Sequence, residues 1–158
     1  MAEVTNIVLA GIGGQGVLKG SDILAEAAFR AGFDVKKAEI HGMSQRGGSV
    51  TSDVRFGDTV LSPMVPEDQA DYVVVLNPNE IERNRGRLRD GGQLIDCSVI
   101  DEDALPHKKS LNVAMLGILS CRLPISEECW LGAIEASLPA ALFETNQAAF
   151  ALGRRLGG

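Results

Sequence analysis

The chain has 158 residues, 45% of them apolar and 23% charged, with a formal net charge of −6; this is enough for one globular domain with a full core, too little for two, and well away from the composition of disordered chains. The acidic balance excludes a nucleic-acid binder built on clustered Lys and Arg, and an aromatic content of 4% calls for a core of Val, Leu, Ile and Ala, as in parallel α/β sheets. No apolar run reaches the ~20 residues that cross a bilayer and no basic segment precedes a signal-type core at the N-terminus, so the expected compartment is the cytoplasm.

Taken in order, the chain opens on the apolar run Ile7 to Ala10, which ends abruptly in Gly11, Gly13, Gly14 and Gly16. A strand, a glycine turn and a helix start are expected there, the helix running from about Gln15 to Ala31 on the face Val17, Leu18, Ile23, Leu24, Ala27, Ala28 and Ala31, with Gly32 as its C-terminal cap. Asp34 to Ile40 reads as a second strand, completing a parallel β-α-β unit. Ser49 to Phe56 alternates apolar and polar residues, and Gly57 with Asp58 predicts a hairpin back through Thr59 to Leu61. Pro63 and Pro66 close that segment. Tyr72 to Leu76 is the most strand-like run and a candidate for the sheet centre. Pro78 suits the first turn of a helix through about Leu88, and Gly91 with Gly92 turns the chain into a strand over Gln93 to Asp96. A polar loop, Asp101 to Lys109, precedes three helices near 112–122, 127–137 with Ser126 as N-cap, and 141–156. The fold class expected is α/β, three-layer and Rossmann-like, with a mostly parallel sheet and an antiparallel hairpin, in a single domain spanning 1–158.

Gly11, Gly13 and Gly16 match GxGxxG, a fingerprint of dinucleotide binding, because glycine lets the backbone approach a phosphate at a helix N-terminus. Glu39 falls close to where such folds place the ribose-binding acid. The bulky polar stretch after Glu39 and the hairpin that follows it both depart from the dinucleotide topology. In a parallel sheet the loop after the second strand shares a rim with the 11–16 turn, so Gln15, His41, Ser44, Gln45 and Arg46 are expected to face one crevice. Cys97, Cys121 and Cys129 have no CxxC spacing, which speaks against a disulfide framework, zinc or an iron–sulfur cluster held by this chain. The basic clusters Arg83 to Arg89 and Arg154 to Arg155 read as solvated helix faces. Trp130 and Phe143 read as core or interface residues, and His107 has no assigned role.

GIGGQGV followed by AEIHGMSQRGGSVTSDVRFGDTVLSP resembles the gamma domain of the 2-oxoacid:ferredoxin oxidoreductases. The HGM-x-QRGGSV form is similar to the beta subunit of the indolepyruvate branch, whereas gamma subunits for pyruvate or 2-oxoglutarate carry a YG-x-E-x-RGG form. Fainter likeness continues through Asn112 to Gly117 and Asn146 to Gly153. The resemblance implies a subunit of an enzyme that turns a 2-oxoacid and coenzyme A into acyl-CoA and CO2 while reducing ferredoxin. Thiamine diphosphate and iron–sulfur clusters are then expected on larger partner subunits, with no metal on this chain and no activity without the partner. It also associates coenzyme A with this domain, at Gly11, Gly13, Gly14, Gln15, Gly16, Ser44, Gln45, Arg46, Gly47 and Gly48. Gly11, Gly13, Gly14 and Gly16 either hold a phosphate or pack against the partner chain, and Gly47 and Gly48 let the chain bend into the hairpin while approaching another backbone. Arg46 is either an anion clamp or an interface ion pair, and His41 either a proton donor or a hydrogen-bonded loop residue; they are the two catalytic candidates. The competing reading is a stand-alone Rossmann-type nucleotide-binding or regulatory module.

Overall fold

The computed structural model describes residues 3–41 and 48–158. β1 (Val4–Ile12) is the middle strand of a five-stranded sheet. Its run Ile7, Val8, Leu9 and Ala10 is buried completely, because apolar side chains leave on both faces of the pleat and both faces are covered. On one side β1 pairs in parallel with β4 (Ala70–Val75), which pairs in parallel with β5 (Leu88–Asp96). On the other side it pairs antiparallel with β3 (Ser49–Gly57), which pairs antiparallel with β2 (Asp34–His41). The order is β2-β3-β1-β4-β5, and every strand but β3 runs the same way. The α/β sheet with an antiparallel hairpin is therefore as expected, and β2 does return parallel to β1, with β3 inserted between them.

The hairpin is displaced from its expected place. Its arms are β2 and β3, joined through residues 42–48, not β3 and Thr59–Leu61. β3 already has a neighbour on each edge, Leu9 opposite Ser52 on one side and Glu39 opposite Ser52 on the other, so no ladder is left for 59–61. Instead the Val60 N–H donates to Asp34 Oδ2 at 2.8 Å. The segment after β3 folds over one sheet face, where Val65 packs with Val8, Val73 and Val75. Asp53, wholly buried on that face, anchors it: Oδ2 accepts from the Val65 N–H and from Arg87 Nη2, each at 2.9 Å.

A second correction concerns β5. The helix after Pro78 is a short 3-10 turn followed by α2 (Ile81–Arg85), and β5 begins at Leu88. Gly91 adopts a φ of 81° and Gly92 lies where a Cβ would sit 2.8 Å from Ala70 O. The glycines thus form an irregularity inside the strand, between the pairs Ala70–Leu88 and Tyr72–Gln93, and do not start it. The arginine cluster divides accordingly. Arg85 is exposed beside Glu82, as expected of a solvated face, whereas Arg87 reaches buried Asp53 and Arg89 binds Asp71.

The opposite face of the sheet carries α1 (Val17–Arg30), α3 (Leu111–Ser120), α4 (Glu127–Ser137) and α5 (Phe143–Gly157). Ser126 Oγ caps α4 by accepting from Cys129 N at 3.2 Å. Trp130 is fully buried against Phe150, ring centroids 5.7 Å apart, and Phe143 packs at the edge of the same core. α3 is buried almost throughout because α5 meets it backbone to backbone: a Cβ on Gly117 would fall 2.3 Å from Phe150 O, and one on Gly153 1.9 Å from Ala114 O.

Candidate functional site

The turn between β1 and α1 lies at the carboxyl ends of β1 and β4, and its glycines have different tasks. Gly11 has no room for a side chain, since a Cβ there would meet Val17 Cγ2 at 2.8 Å and Leu76 Cβ at 3.2 Å. Gln15 is taken up by the backbone: Oε1 accepts from Ile12 N at 2.9 Å while Nε2 donates to Leu76 O at 3.0 Å, which staples the end of β1 to the end of β4. Gly16, the N-cap of α1, has a φ of 79°, and a Cβ there would lie 2.6 Å from Asn112 Nδ2. That nitrogen donates to Gly16 O at 3.1 Å across 96 residues of chain. Gly14, with a φ of 90°, has nothing within 4 Å of its missing Cβ. Open backbone therefore remains at Gly14 alone of these three.

The second glycine stretch reaches the turn as expected, for Gly13 N donates to Gly48 O at 2.9 Å. Ser44, Gln45, Arg46 and Gly47 lie outside the described residues. His41 is described by its main chain, which stands opposite Val50 at the end of the β2–β3 hairpin.

A cleft of about 440 Å³ opens beside the turn. One wall is Gly14 to Gly16 with Lys19 of α1, and the other is His107 to Asn112, with Asn146 of α5 also lining the cleft. α1 has no side-chain cap and no acidic residue in its first turn, so its free N–H groups and the positive end of its dipole are left for an anion. Lys19, Lys108 and Lys109 add three ammonium groups, all exposed, to a chain that is acidic overall. His107 Nδ1 accepts from Lys109 N at 3.1 Å, which caps the 3-10 turn carrying both lysines. This gives His107 the role that sequence reasoning did not assign. The second wall was missed for the same reason: the sequence shows Lys108 and Lys109 as the end of a polar loop, and only Asn112 bonding to Gly16 brings that loop to the first turn. A further hollow of about 320 Å³ lies across the turn between Ile12 to Lys19 and Val50, so the glycine turn is a ridge with a concavity on either side.

Other chemistry is less available. Glu39 lies on the edge strand, with β3 between it and β1, and its carboxylate binds Lys37 at 2.8 Å. It is therefore not positioned as the ribose-binding acid of a dinucleotide fold. Partial burial pulls the Lys37 ammonium down, but the hydrogen bonds and charges of Asp22 and Glu39 outweigh it and hold its pKa above the ordinary lysine value. Burial, helped by the Asp96 charge and a hydrogen bond to Asp96, pushes the Cys97 thiol up to about 11, which leaves it a poor nucleophile near neutrality. Among the described residues no group of three or more His, Cys, Asp or Glu side chains could hold a metal ion.

A family model described as pyruvate ferredoxin/flavodoxin oxidoreductase matches residues 6–107. The chain belongs to that family. It is 34% identical over 188 aligned residues to the indolepyruvate oxidoreductase subunit IorB of Thermococcus kodakarensis, with 94% of this chain and 93% of that protein covered. The gamma subunit of a keto/oxoacid ferredoxin oxidoreductase from Geobacter sulfurreducens has the same fold, with a TM-score of 0.82 at 22% identity over 98% of this chain and 97% of that one. So does part of 2-oxoglutarate:ferredoxin oxidoreductase from Magnetococcus marinus, solved with 2-oxoglutarate, coenzyme A and succinyl-CoA bound; the TM-score is 0.81 at 22% identity, over 98% of this chain and 31% of that chain. The resemblance carried by GIGGQGV and HGMSQRGGSV thus holds at the level of family and gamma-type subunit. Within the family frame the matched span stops at His107, so Lys108, Lys109 and Asn112, the far wall of the cleft, lie just beyond it.

Proposed function

We propose that this chain acts as the gamma-type subunit of an indolepyruvate-like 2-oxoacid:ferredoxin oxidoreductase and supplies the cleft that holds the phosphates of coenzyme A. The enzyme as a whole decarboxylates a 2-oxoacid and transfers the acyl group to coenzyme A while two electrons pass to ferredoxin. Thiamine diphosphate and iron–sulfur clusters, which supply the carbanion and one-electron chemistry, are assigned to larger partner subunits in the cytoplasm. The work left to this chain is binding and orientation. The single observation that carries the reading is the cationic cleft at the uncapped N-terminus of α1, ringed by Lys19, Lys108 and Lys109.

Those residues fit a polyanion. Backbone N–H groups at α1 suit a diphosphate, the lysines add charge from the facing wall, and the apolar side chains Leu111, Leu138 and Leu142 give the rest of the ligand a non-polar floor. Arg46, as anion clamp or interface ion pair, and His41, as proton donor or hydrogen-bonded loop residue, remain the further candidates.

The test is titration calorimetry of the assembled complex with coenzyme A, wild type against Lys108→Ala/Lys109→Ala. The expected result is a loss of at least about tenfold in affinity, steeper at low ionic strength, with assembly intact. Equal affinity for the two complexes overturns the assignment of the cleft. Tight binding of NAD or ATP by the isolated chain favours the stand-alone nucleotide module instead. The isolated chain is expected to have no 2-oxoacid oxidoreductase activity.

A further inference from the structure

β2 ends the sheet, and its outer edge has no neighbour among the described residues. Such an edge presents a row of unpaired N–H and C=O groups, here along eight residues. Two apolar side chains stand exposed beside it, Phe29 of α1 at 67% and Ile40 of β2 at 40%. Phe29, Ala25 and Val35 border a groove of about 460 Å³ between α1 and the edge. Lysine on an edge strand ordinarily blocks pairing. Both lysines of β2 are instead drawn onto acids of the same chain, Lys37 to Asp22 of α1 and Glu39, and Lys36 to Asp34 at 3.7 Å.

We propose that this edge is an interface for a second copy of the chain, β2 pairing antiparallel with β2 about a two-fold axis at Ala38. The axis relating two antiparallel strands of one sheet is perpendicular to the sheet, so residues that face one another stand on the same side of it. An axis at Lys37 would set that lysine against itself. An axis one residue on sets Ala38 against Ala38, where a small side chain leaves room, and Lys37 of each copy against Glu39 of the other. The two ion pairs lie on the α1 face, where Asp22 of α1 already reaches Lys37. On the other face Lys36 lies opposite Ile40 of the second copy, and its aliphatic stem covers that exposed side chain. Both copies of α1 then lie on one side of the extended sheet, and Phe29 of each borders the seam. The charge pattern of the strand therefore selects one register, and like charges oppose the neighbouring one. None of this depends on the coenzyme A reading.

Sedimentation velocity of the purified full chain across a wide concentration range tests the proposal. A monomer–dimer equilibrium is expected, weakened at least about tenfold by Glu39→Lys, which sets lysine against lysine twice, and recovered in Asp22→Lys/Lys37→Glu/Glu39→Lys, which restores both pairs with their signs exchanged and keeps residue 37 paired with residue 22. Oxidative crosslinking in a Cys121→Ser background gives the register independently. Ala38→Cys should crosslink efficiently, because directly opposed Cα atoms lie about 4.5–5.5 Å apart, within disulfide reach. Lys36→Cys should not, because its own copy stands four residues away along the strand, about 14 Å. A wild-type chain that stays monomeric throughout, or crosslinking as efficient at 36 as at 38, overturns the proposal.

Discussion

Glycine is used for opposite ends in two regions of this protein. Between α3 and α5, Gly117 and Gly153 disappear into a contact so close that each missing Cβ would overlap the other helix's backbone. In the turn from β1 to α1, Gly14 has no atom near its missing side chain and lies on the wall of the cleft. The same residue type therefore marks packing in one place and access in the other, and the space in front of it distinguishes them. Gly16 lies between the extremes, being filled by Asn112 and also held at a left-handed φ. Because Asn112 lies in the first turn of α3, the packed region and the open one are mechanically joined: the helix held tightly by α5 is also the one that reaches over to fix the turn.

The contrast predicts a graded series of substitutions. Gly153→Val should be the most damaging, since the helices must separate, with a loss of about 3 kcal/mol or more in urea unfolding of the chain; a smaller change than Gly14→Ala would mean the two helices are not in backbone contact. Gly16→Ala should cost about 2 kcal/mol, from left-handed strain and the displaced Asn112 amide, and should weaken coenzyme A binding as well because the turn shifts. Asn112→Ala is expected to cost about 1 kcal/mol in the same assay by releasing the tether to Gly16. Gly14→Ala comes last in stability, about 1 kcal/mol of backbone strain alone, and its main effect should appear in ligand titration, where the new methyl stands on the open wall. If instead Gly14→Ala unfolds the protein while binding by the surviving fraction is normal, the turn is packed against something and is not an access point.

Much of the architecture could be read from local pattern. The period of 3.6 over Val17 to Ala28 and the alternation over Ser49 to Phe56 gave α1 and β3 to within a residue or two, and Ser126 was recognised as a cap because capping is local chemistry. β3 could not be paired from the same pattern. An alternating strand offers both its edges equally, and whether 59–61 or β2 occupies one of them depends on competition among distant segments. Glycine was likewise ambiguous: Gly91 and Gly92 looked like the boundary of a strand and proved to be an irregularity inside it, because the flanking residues still had β4 to pair with.

At the site the division was sharper. The two glycine stretches and their adjacency were legible, since the carboxyl ends of strands on one sheet share a rim, and Gly13 does meet Gly48. Gln15 was read as a ligand residue; it lines the cleft while both ends of its amide are bound to strand ends, a staple that only the fold reveals. The lysine wall carried no signal of its own. Lys108 and Lys109 are ordinary loop residues until Asn112 docks on Gly16.

Sequence alone specified the strand–turn–helix start, the extents of most helices and the family, because propensity, periodicity and short signatures are properties of neighbouring residues. The insertion of β3 between β1 and β2, the tasks of the individual glycines and the cationic cleft were settled by contacts between residues far apart in the chain. Such contacts depend on which edges and faces remain free once the rest of the protein has packed, and no local pattern encodes that.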